Sequence, residues 1–254
     1  MGSLIPRDFQ ILYGSVLFLL NWLFSLLVNK YMDLSFLKNK DSRPLVNRIV
    51  SSLHALLLFY AAGFYWVVKV GMLTLFKLPR TGSIDEWSGS CIDIMVGYIY
   101  YDIVADIIPE IIFKGTGEYL MIAHHVVGLA SLLLIRIYDF APGAHYYLVV
   151  FLAEASTPAL HTAWTMEKLK QTSDPSFKVV GWSLVVLFFI FRVVLAPFLV
   201  LKIWSERALW SVVPEFIFYI QFGVIIFFWL MNWFWFYKLL AKAFRFTSKK
   251  EKSK

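Results

Sequence analysis

The stretch EYLMIAHHVVGLASLLLIR, from Glu118 to Arg136, decides the fold of this chain. It is apolar almost throughout and holds two adjacent histidines, His124 and His125. A helix that crosses the hydrocarbon of a bilayer needs about 20 mostly apolar residues, so the stretch predicts a membrane span at the short end of that range. Ionisable side chains inside hydrocarbon are costly and typically mark functional sites. The function of this stretch therefore depends on which other polar groups of the chain can meet the two histidines.

The composition predicts a polytopic membrane protein. Of 254 residues, 59% are hydrophobic and only 16% are charged, whereas soluble domains carry about 25% charged residues. The net charge of +7 comes from loops and the C-terminal end, where membrane topology explains it, and no nucleic-acid-binding pattern accompanies it. Cys91 is the single cysteine, which excludes an internal disulfide and a cysteine-based metal site.

Seven apolar segments follow one another along the chain and predict an all-α protein with seven transmembrane helices. They cover residues 10–28, 45–70, 91–113, 118–136, 145–166, 179–203 and 215–240. The pattern divides the chain into a first helix with a basic loop (1–44), a unit of six helices (45–240) and a basic tail (241–254). Residues 77–87 and 139–144 are rich in Gly, Pro and polar residues and are predicted to be loops.

Positive charge predicts the orientation of these spans. Most lysines and arginines fall on the side of the tail, which places the N-terminus in the lumen and the C-terminus in the cytosol. Lys250 and Lys252, fifth and third from the end, resemble cytosolic dilysine signals of endoplasmic-reticulum membrane proteins. The alternative is a solvated basic tail on anionic lipid, and it predicts the same side of the membrane.

Five spans carry polar or ionisable groups well inside their apolar runs. These are Asn47, Ser51 and His54 in the second span, Asp102 and Asp106 in the third, His124 and His125 in the fourth, Glu154, Thr157 and His161 in the fifth, and Arg192 in the sixth. Several of them fall at helical spacing, one side chain above the next. Because so many polar groups cannot all face lipid, they are expected to converge.

Two interpretations of that convergence stay open. In the first, it forms a polar chamber with His124, His125, Asp102 and Glu154 as catalytic candidates and with Ser51, His54, His161 and Arg192 as ligand-binding candidates; a histidine acts as base or nucleophile and a carboxylate orients it. In the second, it is a hydrogen-bonded knot that fixes helix packing, with Arg192 neutralised by Glu154 or an aspartate. No metal is expected, since adjacent histidines on one helix point apart.

Five short motifs together resemble the TLC domain, the family of translocating-chain-associating membrane proteins, Lag-type ceramide synthases and CLN-type lipid proteins. They are NRIVSSLH (47–54), GYIYYD (97–102), the pair His124-His125, LAEASTP (152–158) and FIFR (189–192). The similarity covers about residues 45 to 240 and is greatest to the group known as TLC domain-containing proteins. It implies a six-helix barrel open to the membrane, preceded by one extra helix.

The resemblance also implies a role with lipids. In ceramide synthases the paired histidines serve acyl transfer from acyl-CoA to a sphingoid amine, and His124 and His125 match that pair. The His-Asp-x-x-Asp element that follows in those enzymes is absent here, and Glu154 is the one carboxylate left in the region. The resemblance therefore favours an endoplasmic-reticulum protein of membrane lipid homeostasis that binds an acyl lipid in the chamber.

The alternative functions are a lipid acyltransferase using His124 or His125 and, third, a transporter with a charge relay. No cofactor is required for lipid binding, and acyl-CoA is the expected donor for acyl transfer. The expected partners are membrane lipids or acyl chains, with a homodimer left open and nucleic acid not expected.

Overall fold

The computed structural model describes residues 7–31, 43–71, 82–114 and 119–251, and within these ranges every regular segment is helical. The predicted all-α fold is therefore confirmed for this part of the chain. Most of the basic loop after the first span, Glu118 at the start of the histidine segment and the terminal Lys252 lie outside the described residues.

The helices are separated by short breaks and by local changes of helix type. In chain order they are α1 (Arg7–Tyr31), α2 (Arg43–Phe64), α3 (Glu86–Asp102), α4 (Ile108–Lys114), α5 (Tyr119–Ile137), α6 (Ala141–Phe151), α7 (Thr157–Lys168), α8 (Pro175–Phe188), α9 (Leu195–Ser205) and α10 (Glu215–Glu251). Wider π-helical turns follow α2, α3 and α8, at Tyr65–Gly71, Ile103–Ile107 and Phe189–Val194. Tighter 3-10 turns occupy Leu152–Ser156 and Arg207–Val212.

Five helical stretches are long and apolar enough to cross a membrane, which makes the chain a polytopic membrane protein. They match the first, second, fourth, sixth and seventh predicted spans and cover Gln10–Tyr31, Pro44–Val68, Tyr119–Ile137, Pro175–Ser205 and Glu215–Arg245. The third predicted span is helical but carries several carboxylates, and a 3-10 turn divides the fifth. Both features depart from the uniform apolar helix that hydropathy recognises.

Helix capping explains two predicted boundaries that were wrong. The third segment begins at Glu86 instead of Cys91, because the Asp85 carboxylate caps it by accepting a hydrogen bond of 3.0 Å from the Ser88 backbone N–H. Helix α6 begins at Ala141, inside the predicted 139–144 loop, because Pro142 lies in its first turn, where a missing N–H costs nothing. At the other end of the chain, α10 continues through residues 241–251, so this part of the predicted tail is helical.

The helices of residues 43–251 pack in a closed order. Helix α2 packs against α7, α7 against α8, α8 and α9 against α10, α10 against α5, α5 against α3, and α3 against α2. Helix α6 contacts α2, α3 and α5 and is buried along almost its whole length. It is therefore enclosed by these helices and belongs to the largest apolar cluster, in which Ile92, Val96, Ile135, Leu148 and Ile217 are essentially inaccessible.

Helix α1 lies outside this ring, against α2 and α3. Its backbone approaches α3 closely where Gly14 faces Gly97: a Cβ built on Gly97 would lie 2.6 Å from the Gln10 carbonyl oxygen, and one on Gly14 would lie 3.1 Å from the Gly97 oxygen. Small residues at such crossings let membrane helices approach and pack by van der Waals contact. This contact brings polar side chains of α1 within reach of α2 and α3.

Candidate functional site

The centre of the candidate site is a pair formed by His125 of α5 and Asp102, the last residue of α3. His125 Nε2 lies 2.8 Å from Asp102 Oδ2, and both side chains are almost fully buried. The second ring nitrogen, Nδ1, lies 2.9 Å from the carbonyl oxygen of Met121, one turn earlier on α5. Two acceptors therefore flank the ring, so both of its nitrogens are engaged and its orientation is fixed.

Three further side chains form a chain of hydrogen bonds that ends on Asp102. Asn21 Nδ2 of α1 donates to the Tyr101 hydroxyl oxygen at 2.6 Å, and Tyr101 donates to Asn47 Oδ1 at 2.5 Å. Asn47 Nδ2 in turn donates to Asp102 Oδ1 at 3.3 Å. All three bonds point the same way, toward the carboxylate, and this polarity stabilises its negative charge inside the membrane.

His124 has a different environment from its neighbour. Its ring packs edge-on against Phe228 at 5.0 Å between centroids and lies 5.6 Å from the ring of Trp235, both on α10. Its Nδ1 is buried and has no hydrogen-bond partner among the described residues. A buried nitrogen without a partner costs free energy, which a ligand or a water molecule can recover.

Arg192 and Glu154 face each other at 3.8 Å between Nη2 and Oε1, the pairing that the helix-packing interpretation predicts. Arg192 lies in a π-helical turn and also binds the 3-10 turn of the fifth segment. Its Nε donates to the Ala153 carbonyl at 3.1 Å and to Ser156 Oγ at 2.9 Å. Because much of the guanidinium is used in this way, Arg192 stabilises the break between α6 and α7.

The three remaining predicted ligand-binding residues connect helices. His161 Nδ1 of α7 lies 3.0 Å from both Ser52 Oγ and the Arg48 carbonyl oxygen of α2. His54 is stacked on Tyr98 at 3.9 Å between ring centroids, and Ser51 hydrogen-bonds with the Tyr98 hydroxyl.

The predicted site residues lie on five of the predicted spans, the second to the sixth, and electrostatic interactions link several of them. The Asp102 carboxylate interacts electrostatically with four imidazoles, those of His54, His124, His125 and His161. The Arg192 guanidinium interacts electrostatically with two of them, His124 and His161. One π-helical turn of this region begins just after Asp102, and another contains Arg192. Such turns are rare and are frequent at functional sites.

Sequence reasoning missed the contribution of α1. Gln10 and Asn21 are eleven residues apart and therefore lie on one face of a helix, with Gly14 between them. That spacing could have indicated that this face of α1 packs against other helices of the protein.

Two polar clusters lie apart from the histidine pair. In one, Arg136 binds Asp93 through two bonds of 3.0 and 2.8 Å, and Gln10 donates to the same carboxylate at 2.8 Å. In the other, Gln221 Oε1 accepts from Ser131 at 2.6 Å and from Tyr147 at 2.8 Å. Both join helices through hydrogen bonds, which is the kind of role that the second sequence interpretation, the helix-packing one, describes.

Within the described ranges, the site offers the unpartnered Nδ1 of His124 beside a fixed histidine–carboxylate pair. That arrangement can donate to or accept from a polar group of a ligand, and an imidazole so placed can also act as a nucleophile. Among the described residues, no three His, Cys, Asp or Glu side chains are grouped closely enough to hold a metal ion.

A scan against protein-family models matched the TLC domain (TRAM, LAG1 and CLN8) over residues 45–241. Comparisons with curated proteins and with solved structures gave no match. The matched region contains every predicted site residue, whereas α1 precedes it. Because the family match covers well over half of the chain, this polytopic membrane protein belongs to the TLC-domain family.

Proposed function

We propose that the chain binds an acyl lipid within its helical ring and acts in membrane lipid homeostasis, with His124 as the side chain that meets the polar group of the lipid. The observation that carries this proposal is the buried, unpartnered Nδ1 of His124 next to the fixed His125–Asp102 pair. Membership of a family associated with lipid-related membrane proteins supports it.

The two histidines have different roles in this proposal. Both ring nitrogens of His125 are engaged by Asp102 and the Met121 carbonyl, so His125 is the orienting residue. His124 is the ligand-facing residue because its Nδ1 has no hydrogen-bond partner in the part of the chain that the structure describes. Its aromatic neighbours Phe228 and Trp235 supply an apolar wall suited to an acyl chain.

The membrane arrangement that we infer has seven spans, the last six forming a barrel. The closed packing order of α2, α7, α8, α10, α5 and α3 supports it. On this arrangement the third and fifth spans are the polar, interrupted ones, as expected of segments that line a chamber instead of facing lipid. Endoplasmic-reticulum residence, with a lumenal N-terminus and a cytosolic C-terminus, is part of the same proposal and rests on the distribution of basic residues.

A second candidate function is acyl transfer, which the free nitrogen of His124 favours. In that reaction the imidazole nitrogen attacks the thioester carbonyl of acyl-CoA, coenzyme A leaves as the thiolate, and an acyl-imidazole forms on His124. A hydroxyl or amine of the acceptor lipid then takes the acyl group, its proton passes to the coenzyme A thiolate, and the imidazole is regenerated. The His125–Asp102 pair orients the His124 ring, which contacts the His125 ring, and the Asp102 carboxylate supplies a fixed negative charge during the reaction.

The test is mass spectrometry of the detergent-purified protein, with lipid extraction of the same samples and incubation with palmitoyl-CoA. Wild type is compared with His124→Ala and His125→Ala. The matched control is His145→Leu: His145 is a buried histidine outside the site, and both of its ring nitrogens lack partners among the described residues, so its loss removes no bond there.

Lipid binding predicts a co-purifying acyl lipid in wild type and in His145→Leu, and its loss from folded His124→Ala. Acyl transfer predicts in addition a covalent acyl adduct on wild type that disappears in His124→Ala. Equal lipid recovery from wild type and folded His124→Ala, with no adduct in either, would refute both functions and leave the helix-packing role.

A further inference from the structure

Helix α1 precedes the TLC domain, yet one of its side chains contacts a candidate site residue. The Tyr13 hydroxyl lies 3.0 Å from Nδ1 of His54, which belongs to α2 and to the matched family region. The other side of the contact is fixed as well, because the His54 ring is stacked face to face on Tyr98 with an interplanar angle of 5°. The imidazole is therefore held both in its plane and by one of its nitrogens.

The direction of the Tyr13–His54 bond follows from what each group can donate. In the described part of the chain, the Tyr13 hydroxyl has His54 Nδ1 as its hydrogen-bond partner. A phenol in an apolar surrounding satisfies its proton by donating it, so the Tyr13 O–H donates and Nδ1 accepts. A neutral imidazole that accepts at Nδ1 carries its own proton at Nε2. The contact therefore makes Nε2 of His54 a hydrogen-bond donor.

That donor has no partner in the described residues. His54 Nε2 is buried, and the residue is 2% exposed. An orphaned N–H inside a membrane protein is costly unless an acceptor reaches it. The His54 ring also lies within electrostatic range of Asp102, the carboxylate of the histidine pair. The unpartnered N–H thus belongs to the same polar region as the unpartnered nitrogen of His124.

We propose that Tyr13 and His54 form a second ligand contact, in which α1 fixes the imidazole so that its Nε2–H donates to an acceptor oxygen of a bound lipid. This inference rests on the proposed lipid-binding function and adds an element from outside the TLC domain. The chemistry it selects is an acceptor without a proton of its own: an ester carbonyl oxygen or a phosphate oxygen. Tyr13 is a positioning residue here, and His54 touches the ligand.

The packing of α1 gives Tyr13 the rigidity that this role needs. Gly14, the next residue, lies so close to Gly97 of α3 that a Cβ built on Gly14 would be 3.1 Å from the Gly97 oxygen, so the two helices are in close contact at this point. Bonds on either side hold it: Gln10 donates to Asp93 at 2.8 Å and Asn21 donates to Tyr101 at 2.6 Å. The same helix thus contacts both His54 and the donor chain that ends on Asp102.

The first experiment measures the proton position on His54. The protein is labelled with 15N-histidine, which gives five residues, and is studied by NMR in detergent micelles, with His54→Gln to assign the signals. Wild type is expected to show His54 protonated at Nε2 and unprotonated at Nδ1. Tyr13→Phe removes the donor and is expected to shift the Nδ1 signal, whereas Tyr60→Phe, an exposed tyrosine on α2, leaves it in place.

The second experiment measures the ligand contact with defined probes. Delipidated protein is titrated with palmitoyl-oleoyl phosphatidylcholine and with its diether analogue, which keeps the phosphate and lacks the ester carbonyls. A shift of the His54 Nε2 signal with the ester lipid alone identifies a carbonyl acceptor, and a shift with both identifies a phosphate. Tyr13→Phe is expected to weaken either response several-fold.

The outcomes separate this inference from the function on which it rests. A proton on Nδ1 of His54 in wild type would overturn the inference, and so would an unchanged His54 spectrum with both lipids; neither result depends on folding of a variant. Lipid loss from His124→Ala with no response at His54 would leave the proposed function standing and remove the second contact. A response at His54 without any effect of His124→Ala would support the second contact and remove His124 as the side chain that meets the polar group of the lipid.

Discussion

Replacing Gly97 with alanine tests whether α1 is a docked part of the molecule. The new Cβ would lie 2.6 Å from the Gln10 carbonyl oxygen, where ordinary contact begins at 3.4 Å, so the two backbones must part by about 0.8 Å. A shift of this size takes the Gln10–Asp93 and Tyr13–His54 bonds, now 2.8 and 3.0 Å, beyond hydrogen-bonding length. Overpacking and the two weakened bonds together predict a loss of about 2–6 kcal/mol of stability.

The single cysteine provides the assay. Cys91 is 2% exposed, so a thiol-reactive fluorophore labels it only as the detergent-solubilised protein unfolds. The matched control is Gly63→Ala, since a Cβ there meets nothing within 4 Å; in a helix this change is neutral or stabilising by up to about 1 kcal/mol. A Gly97→Ala protein that melts with wild type and Gly63→Ala would refute the close docking of α1.

Three further predictions concern charged groups and are measured with the same melting assay. Arg192→Met leaves Glu154 without its cation and is expected to lower the free energy of unfolding by about 3–5 kcal/mol, and Arg192→Lys is expected to recover only part of that loss. Equal melting temperatures of Arg192→Met and wild type would contradict the stabilisation of the 3-10 turn by Arg192. Asp93→Leu is expected to destabilise by a similar amount, and Asp93→Leu/Arg136→Met to recover most of the loss, because the pair is then replaced by apolar groups; a double variant no better than the single one would refute this. Asp174 caps α8, and its hydrogen bonds to Ser176 lower the pKa of its carboxyl group. That stabilisation is present above the usual aspartate pKa and is lost as the pH falls through the lowered pKa of the folded state. Asp174→Ala is therefore expected to lower the melting temperature at neutral pH and Asp174→Asn to keep most of the cap; equal loss in both would argue against capping.

Hydropathy predicted the membrane-spanning character of the chain because five of its spans are long and uniformly apolar. It could not predict changes of helix type. The 3-10 turn at Leu152–Ser156 depends on Arg192, a residue some forty positions later that binds the Ala153 carbonyl. Contacts between residues so far apart in sequence leave no mark in local periodicity, so the fifth segment was predicted as a membrane span, 145–166, without this turn.

The sequence singled out the residues of the candidate site but did not predict how their side chains are arranged. The rule that ionisable residues avoid lipid was enough to single out Asp102, the histidine pair and Arg192. Which histidine is fixed and which is free depends on the Met121 carbonyl and on the position of α3, and neither follows from spacing. Tyr13 was missed because a tyrosine in an apolar helix is ordinary, and its partner lies on another helix.

Helix α10 has a practical consequence for imaging this small protein. Its 37 residues give a length of about 55 Å, against a hydrocarbon thickness of about 30 Å. Near the C-terminal end of its apolar stretch, Glu215–Arg245, it is tied to α7 by the ion pair of Lys242 with Glu167 at 2.5 Å. A helical carrier fused in frame to Glu251 would therefore inherit a fixed direction and serve as an alignment marker for electron microscopy outside the detergent belt.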